Sequence, residues 1–89
     1  MPVFVYILES EMDGTWYVGM TTNIEIRLKE HNAGKSRFTK GHFPWKIIYF
    51  EEQPDFVQGR TKEKYFKTTN GKNRVRKWIA ERNSGSLPA

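Results

Sequence analysis

The chain has 89 residues, no cysteine and a formal net charge of +5. That length gives room for one domain with a modest core, because a domain this small buries only about 60–65% of the surface its unfolded chain exposes. Without cysteine there is no disulfide framework and no thiolate metal site, and the composition is compatible with a reducing cytoplasm. No apolar run approaches the roughly 20 residues of a membrane span, and Met1 to Leu8 lacks the basic leader and the cleavage site of a signal peptide.

Val3 to Leu8 (VFVYIL) is β-branched, aromatic and apolar on both faces, the pattern of a buried strand. Met12-Asp13-Gly14 is a turn signal, and Thr15 to Met20 (TWYVGM) is a second strand, so the two are expected to pair as a hairpin. Thr22 and Glu25 have the spacing of a capping box. They predict a helix through Ile24, Leu28 and His31 that Gly34 terminates. Lys35 to His42 is polar and basic without apolar periodicity and reads as a loop. Pro44-Trp45 leads into a third strand, WKIIYF. Asp55, after Pro54, is positioned to cap a helix to about Thr68, in which Gly59 is a weak point. Asn70-Gly71 is expected to break the chain before a last helix, about Asn73 to Arg82, that buries Val75, Trp78 and Ile79 at the i, i+3, i+4 spacing. The predicted order is β-β-α-β-α-α in one domain over residues 1–83, with 84–89 as a flexible C-terminal tail.

The positive charge is concentrated. Arg60 to Arg82 carries nine Lys/Arg against Glu63 and Glu81, a net of +7. Such a segment suits a phosphate backbone, which binds through counterion release; a solvated helical face kept charged for solubility explains it equally.

Familiar enzyme motifs are absent. There is no phosphate-binding glycine loop with Lys and Ser/Thr, no paired-histidine zinc motif and no G-x-S-x-G. With only His31 and His42, a multi-histidine metal site is excluded. What remains is a polar set on the first half of the chain. Arg27 and His31, four apart, share a helix face that can point at Tyr6 and Tyr17 on neighbouring strands. A guanidinium offers a bidentate fork to phosphate, and a phenol or imidazole can orient or deprotonate water. The same residues also suit a plainer reading, with core tyrosines whose hydroxyls are satisfied and a solvent-facing Arg27 and His31. Phosphodiester hydrolysis also needs a cation. Glu63, alone in the most basic segment, is either a metal ligand or a neutraliser paired with Lys67 at i, i+4.

The ordered motifs resemble those of the GIY-YIG nuclease family. Phe4-Val5-Tyr6 and Tyr17-Val18-Gly19 are similar to its two name-giving tripeptides. The likeness continues through Thr21-x-Asn23, Arg27-Leu28-x-x-His31-Asn32-x-Gly34, Pro44-Trp45, Tyr49-x-Glu51 and Lys62-Glu63-Lys64-x-x-Lys67. Phe4 replaces the glycine of the first tripeptide, and Gly59 stands where the family usually has a small helix former. The resemblance is greatest to the small stand-alone members. It implies an α+β fold, a three-stranded antiparallel sheet flanked by helices, and an endonuclease using one Mg²⁺ or Mn²⁺ ion.

By that resemblance Tyr17 orients or deprotonates the attacking water with help from Tyr6. Arg27 holds the scissile phosphate, His31 supports a tyrosine or the water, Glu63 ligates the metal, and Gly19 lets backbone approach the site closely. Lys35, Arg37, Lys40, Lys62 and Lys67 are the expected nucleic-acid contacts, with DNA favoured over RNA. A non-cleaving nucleic-acid-binding module on the same fold stays open as the alternative, and a basic protein-partner domain accounts for the charge alone.

Overall fold

The computed structural model describes residues 1–85. Three strands and three helices follow in the order β1 (Val3–Ser10), β2 (Trp16–Thr21), α1 (Ile24–Asn32), β3 (Trp45–Gln53), α2 (Phe56–Phe66) and α3 (Thr69–Gly85). The sheet is antiparallel throughout with spatial order β2-β1-β3, so the most apolar strand lies in the middle. The expected fold class is the one observed.

Alternation along β1 divides the core in two. Val5 and Ile7 face α2 and α3, where they pack with Val18, Phe66 and Val75. Tyr6 and Leu8 face the other side, with Trp45 and with Tyr17, Leu28 and Ile47 around them. The β1–β3 register shifts between Ile7, opposite Tyr49, and Leu8, opposite Ile47. This bulge turns β3 over: Trp45 and Ile47 pack on the α1 side, whereas Ile48 and Tyr49 both pack against the α2/α3 cluster.

Both early helices have side-chain caps. At α1 the cap is Asn23, whose side chain accepts from Ile26 N–H at 3.1 Å, and not the expected Thr22. Thr21 Oγ1 accepts from the Asn23 N–H in turn. The capping-box reading was therefore one residue out of register. Asp55 caps α2 as predicted, accepting from Gln58 N–H at 2.9 Å. Gly34 follows α1 with a φ of 76°.

Two glycine readings need correction. Gly59 is buried, and a Cβ there would fall 2.6 Å from Val3 Cγ2 and 2.9 Å from Met20 Sδ. The close approach of α2 to the sheet requires the missing side chain, and packing outweighs the propensity loss. Asn70-Gly71 does not break the chain but lies in the first turn of α3. The break falls earlier, at Lys67 and Thr68, where the Thr68 hydroxyl accepts from Gly71 N–H at 3.0 Å. A side chain at Gly71 would collide with the Tyr65 carbonyl. Residues 86–89 of the expected tail lie outside the described residues. Among the described residues no helix is long and apolar enough to cross a membrane.

Candidate active site

The β1–β2 register sets Tyr6 opposite Gly19 and Leu8 opposite Tyr17. A Cβ at Gly19 would fall 2.5 Å from Tyr6 Oη and 3.0 Å from Tyr17 Cε2, so this glycine is what lets the two phenols converge. Their ring centroids are 6.3 Å apart. His31 completes the group, 5.9 Å from the Tyr6 ring and 5.0 Å from the Tyr17 ring. Tyr6 and His31 are buried, whereas Tyr17 is half-buried at the edge strand.

A hydrogen-bonded chain runs through the cluster. Tyr6 Oη lies 2.9 Å from His31 Nε2, and His31 Nδ1 lies 2.7 Å from Thr39 Oγ1. Burial, reinforced by the Arg27 charge, pushes the His31 pKa down to about 4, so the imidazole is neutral at pH 7. A neutral imidazole gives one nitrogen to donate and one to accept, and the two hydroxyls satisfy both. Burial, with the Tyr17 and Glu63 charges, pushes the Tyr6 pKa up to about 12 against the opposing pull of Arg27. Tyr6 therefore stays protonated at neutral pH.

Arg27 sits one turn before His31 on the same face of α1, half-buried, with its Nη1 3.0 Å from Glu30 Oε1. Burial works against its charge, but Glu30 and the two phenols outweigh that, and its pKa rises. Glu30 thereby fixes one end of the fork and leaves the guanidinium beside both tyrosines.

Glu63 comes from α2, which packs on the other face of the sheet. Its charge is nonetheless felt at Tyr6. Its side chain is only 13% exposed, and it also contacts Lys67 at 3.4 Å and Arg60 at 3.9 Å. Among the described residues no three His, Cys, Asp or Glu side chains assemble into a metal cage. The donor set therefore does not suit zinc. It does fit a hard cation held by one carboxylate, with water and phosphate oxygens completing the shell.

The expected nucleic-acid contacts separate into two groups. Lys35, Arg37 and Lys40 are exposed on the loop between α1 and β3. On α2, Lys67 is exposed, but Lys62 leans on Glu51 at 3.6 Å and lies 5.8 Å from the Phe66 ring centre, a structural placement. Three supporting residues escaped the sequence reading. Thr39 lay in a stretch without periodicity, and Glu30 looked like any helical acid. Asn32 pins α1 to β3 by accepting from Trp45 N–H at 2.5 Å and donating to Trp45 O at 3.2 Å. The Asn within Arg-x-x-x-His-Asn was the available signal for the last.

A tyrosine–histidine chain beside an arginine, on a β-β-α-β-α-α frame, defines a class, and comparison with known proteins agrees. The GIY-YIG catalytic domain matches residues 2–77, and the chain belongs to this family. Its relatives there are small proteins named UPF0213. One from Streptococcus sanguinis is 38% identical over 65 residues, 72% of this chain and 74% of the relative. Another, from Bacillus licheniformis, is 37% identical over 83 residues, 92% of this chain and 84% of the relative. The solution structure of a UPF0213 protein from Bacillus halodurans superposes with a TM-score of 0.55 at 31% identity, covering 88% of this chain and 85% of that one. The family is one of nucleases and suggests a nucleic-acid partner.

Proposed function

We propose that this chain is a divalent-metal-dependent endonuclease that hydrolyses phosphodiester bonds in DNA. The convergence of Tyr6, Tyr17, Arg27 and His31 around one hydrogen-bonded chain carries this reading. Each phenol has its own task. Tyr6, buried and protonated at neutral pH, holds the imidazole and buttresses its neighbour. Tyr17, at the edge and half-exposed, reaches the water that attacks phosphorus and orients it or takes its proton. The Arg27 fork receives non-bridging phosphate oxygens, where negative charge grows in the transition state. His31, neutral, keeps Tyr6 and Thr39 in register. Glu63 would hold one Mg²⁺ or Mn²⁺ ion, which when bound supplies charge neutralisation at the phosphate. Cleavage of labelled single-stranded, duplex and branched DNA should appear with Mg²⁺ and fall by on the order of 10²-fold or more in Arg27→Ala and Glu63→Ala. Wild type that cuts none of these, or Glu63→Ala that cuts as well as wild type, refutes the proposal.

The alternative, a nucleic-acid-binding module that does not cut, draws on the Glu63 contacts with Lys67 and Arg60, which are those of a charge neutraliser. Salt-sensitive binding without metal-dependent cleavage supports it.

A further inference from the structure

Between Glu30 and Glu51 the chain carries no acid but has Lys35, Arg37, Lys40 and Lys46. The loop that opens this stretch has an anchored backbone. Ser36 and Thr39 are buried. The Ser36 carbonyl accepts from the Thr39 and Lys40 amides at 3.2 and 3.0 Å. The Thr39 carbonyl accepts from Trp45 Nε1–H at 3.0 Å, and the Thr39 hydroxyl holds His31. With positions 36 and 39 turned inward, Lys35, Arg37, Phe38 and Lys40 are displayed outward. Phe38 is 79% exposed, the most exposed aromatic ring among the described residues, and cations flank it on both sides.

We propose that Phe38 is a base-stacking platform, so that the strand this protein engages carries an unstacked base at this loop. The proposal rests on the nucleic-acid reading above and adds the substrate class. An aromatic ring interleaved with cations is how proteins grip single strands, ring on base and cations on phosphates. A duplex offers no such face, because its bases already stack on one another. Phe38 is next in sequence to Thr39, whose hydroxyl bonds His31, so the loop that displays the ring is tied to the tyrosine cluster. Lys35, Arg37 and Lys40 take the flanking phosphates.

The test is binding in EDTA, read by fluorescence anisotropy with a labelled single strand and its duplex. Phe38→Ala should weaken single-strand binding on the order of 5- to 100-fold. Duplex binding and the salt slope should stay at wild-type values. Phe38→Tyr should retain affinity. The doubly substituted Arg37→Ala, Lys40→Ala chain should instead flatten the single-strand salt slope by about 1.4. An unchanged melting temperature in Phe38→Ala, expected for so exposed a ring, shows that the fold is intact. If Phe38→Ala binds the single strand as tightly as wild type, or loses strand and duplex affinity equally, stacking is overturned while the nucleic-acid reading survives. If wild type binds neither strand nor duplex at low salt, both fall.

Discussion

Gly19→Ala is the sharpest perturbation of the candidate site, because it adds one methyl group at the point where the two phenols meet. The new carbon would lie 2.5 Å from Tyr6 Oη, 2.7 Å from Tyr6 Cζ and 3.0 Å from Tyr17 Cε2. Carbon contacts are comfortable at about 3.5–4.0 Å, so the Tyr6 ring must retreat by roughly 1 Å. It has little room, being buried and bonded to His31 at 2.9 Å. Overpacking costs about 1–3 kcal/mol and a weakened hydrogen bond about 0.5–1.5, together about 2–4 kcal/mol. For a domain of this size that lowers the melting temperature by roughly 10–25 °C. Gly41→Ala, with no atom within 4 Å of the added carbon, is the matched control and should stay within about 0.5 kcal/mol of wild type. Urea denaturation of the three proteins measures the effect directly. Cleavage assayed at a temperature where Gly19→Ala remains folded should fall by on the order of 10²-fold, since a misplacement of about 1 Å at a reacting group has that effect. A Gly19→Ala protein with the wild-type denaturation midpoint would show that the phenols do not converge here.

Three further outcomes are expected. His31 has a folded pKa of about 4 against about 6.5 unfolded, so the unfolded chain binds the extra proton between those values. Stability should therefore be full above about pH 6.5 and fall by up to about 3 kcal/mol as the pH drops toward 4, and His31→Gln should flatten that slope in denaturation series across the range. Gly59→Ala should fail to stabilise despite a helix-propensity gain of about 1 kcal/mol, because the Cβ would sit 2.6 Å from Val3 Cγ2; a raised urea midpoint contradicts the close packing of α2. Tyr17→Phe should lose more cleavage than Tyr6→Phe at neutral pH, since only Tyr17 combines a hydroxyl with access to solvent; steady-state rates of the two variants decide it, and the reverse order would exchange their roles.

Much of the fold, the family and the set of side chains that gather at the candidate site was legible in the chain itself. Short β-branched and aromatic apolar runs marked the three strands, and local signals at Gly34 and Asp55 marked helix ends, because those devices act within a few residues. The order of Tyr, Tyr, Arg, His and Glu pointed to the family that the comparison bears out. The errors arose where distant segments meet. Gly59 looked like a weak point in a helix and Gly71 like a break between helices, but their meaning depends on Val3, Met20 and the Tyr65 carbonyl. Tyr49 changes faces because of a bulge that no local pattern announces. Thr39 looked like loop and is the far end of the His31 chain. Sequence alone thus determined which side chains are available and which face of each element is apolar, since propensity and periodicity are local. Only the tertiary structure decided which of them touch, and with that the lowered pKa of His31 and the raised pKa of Tyr6, since burial and charge depend on neighbours brought from elsewhere in the chain.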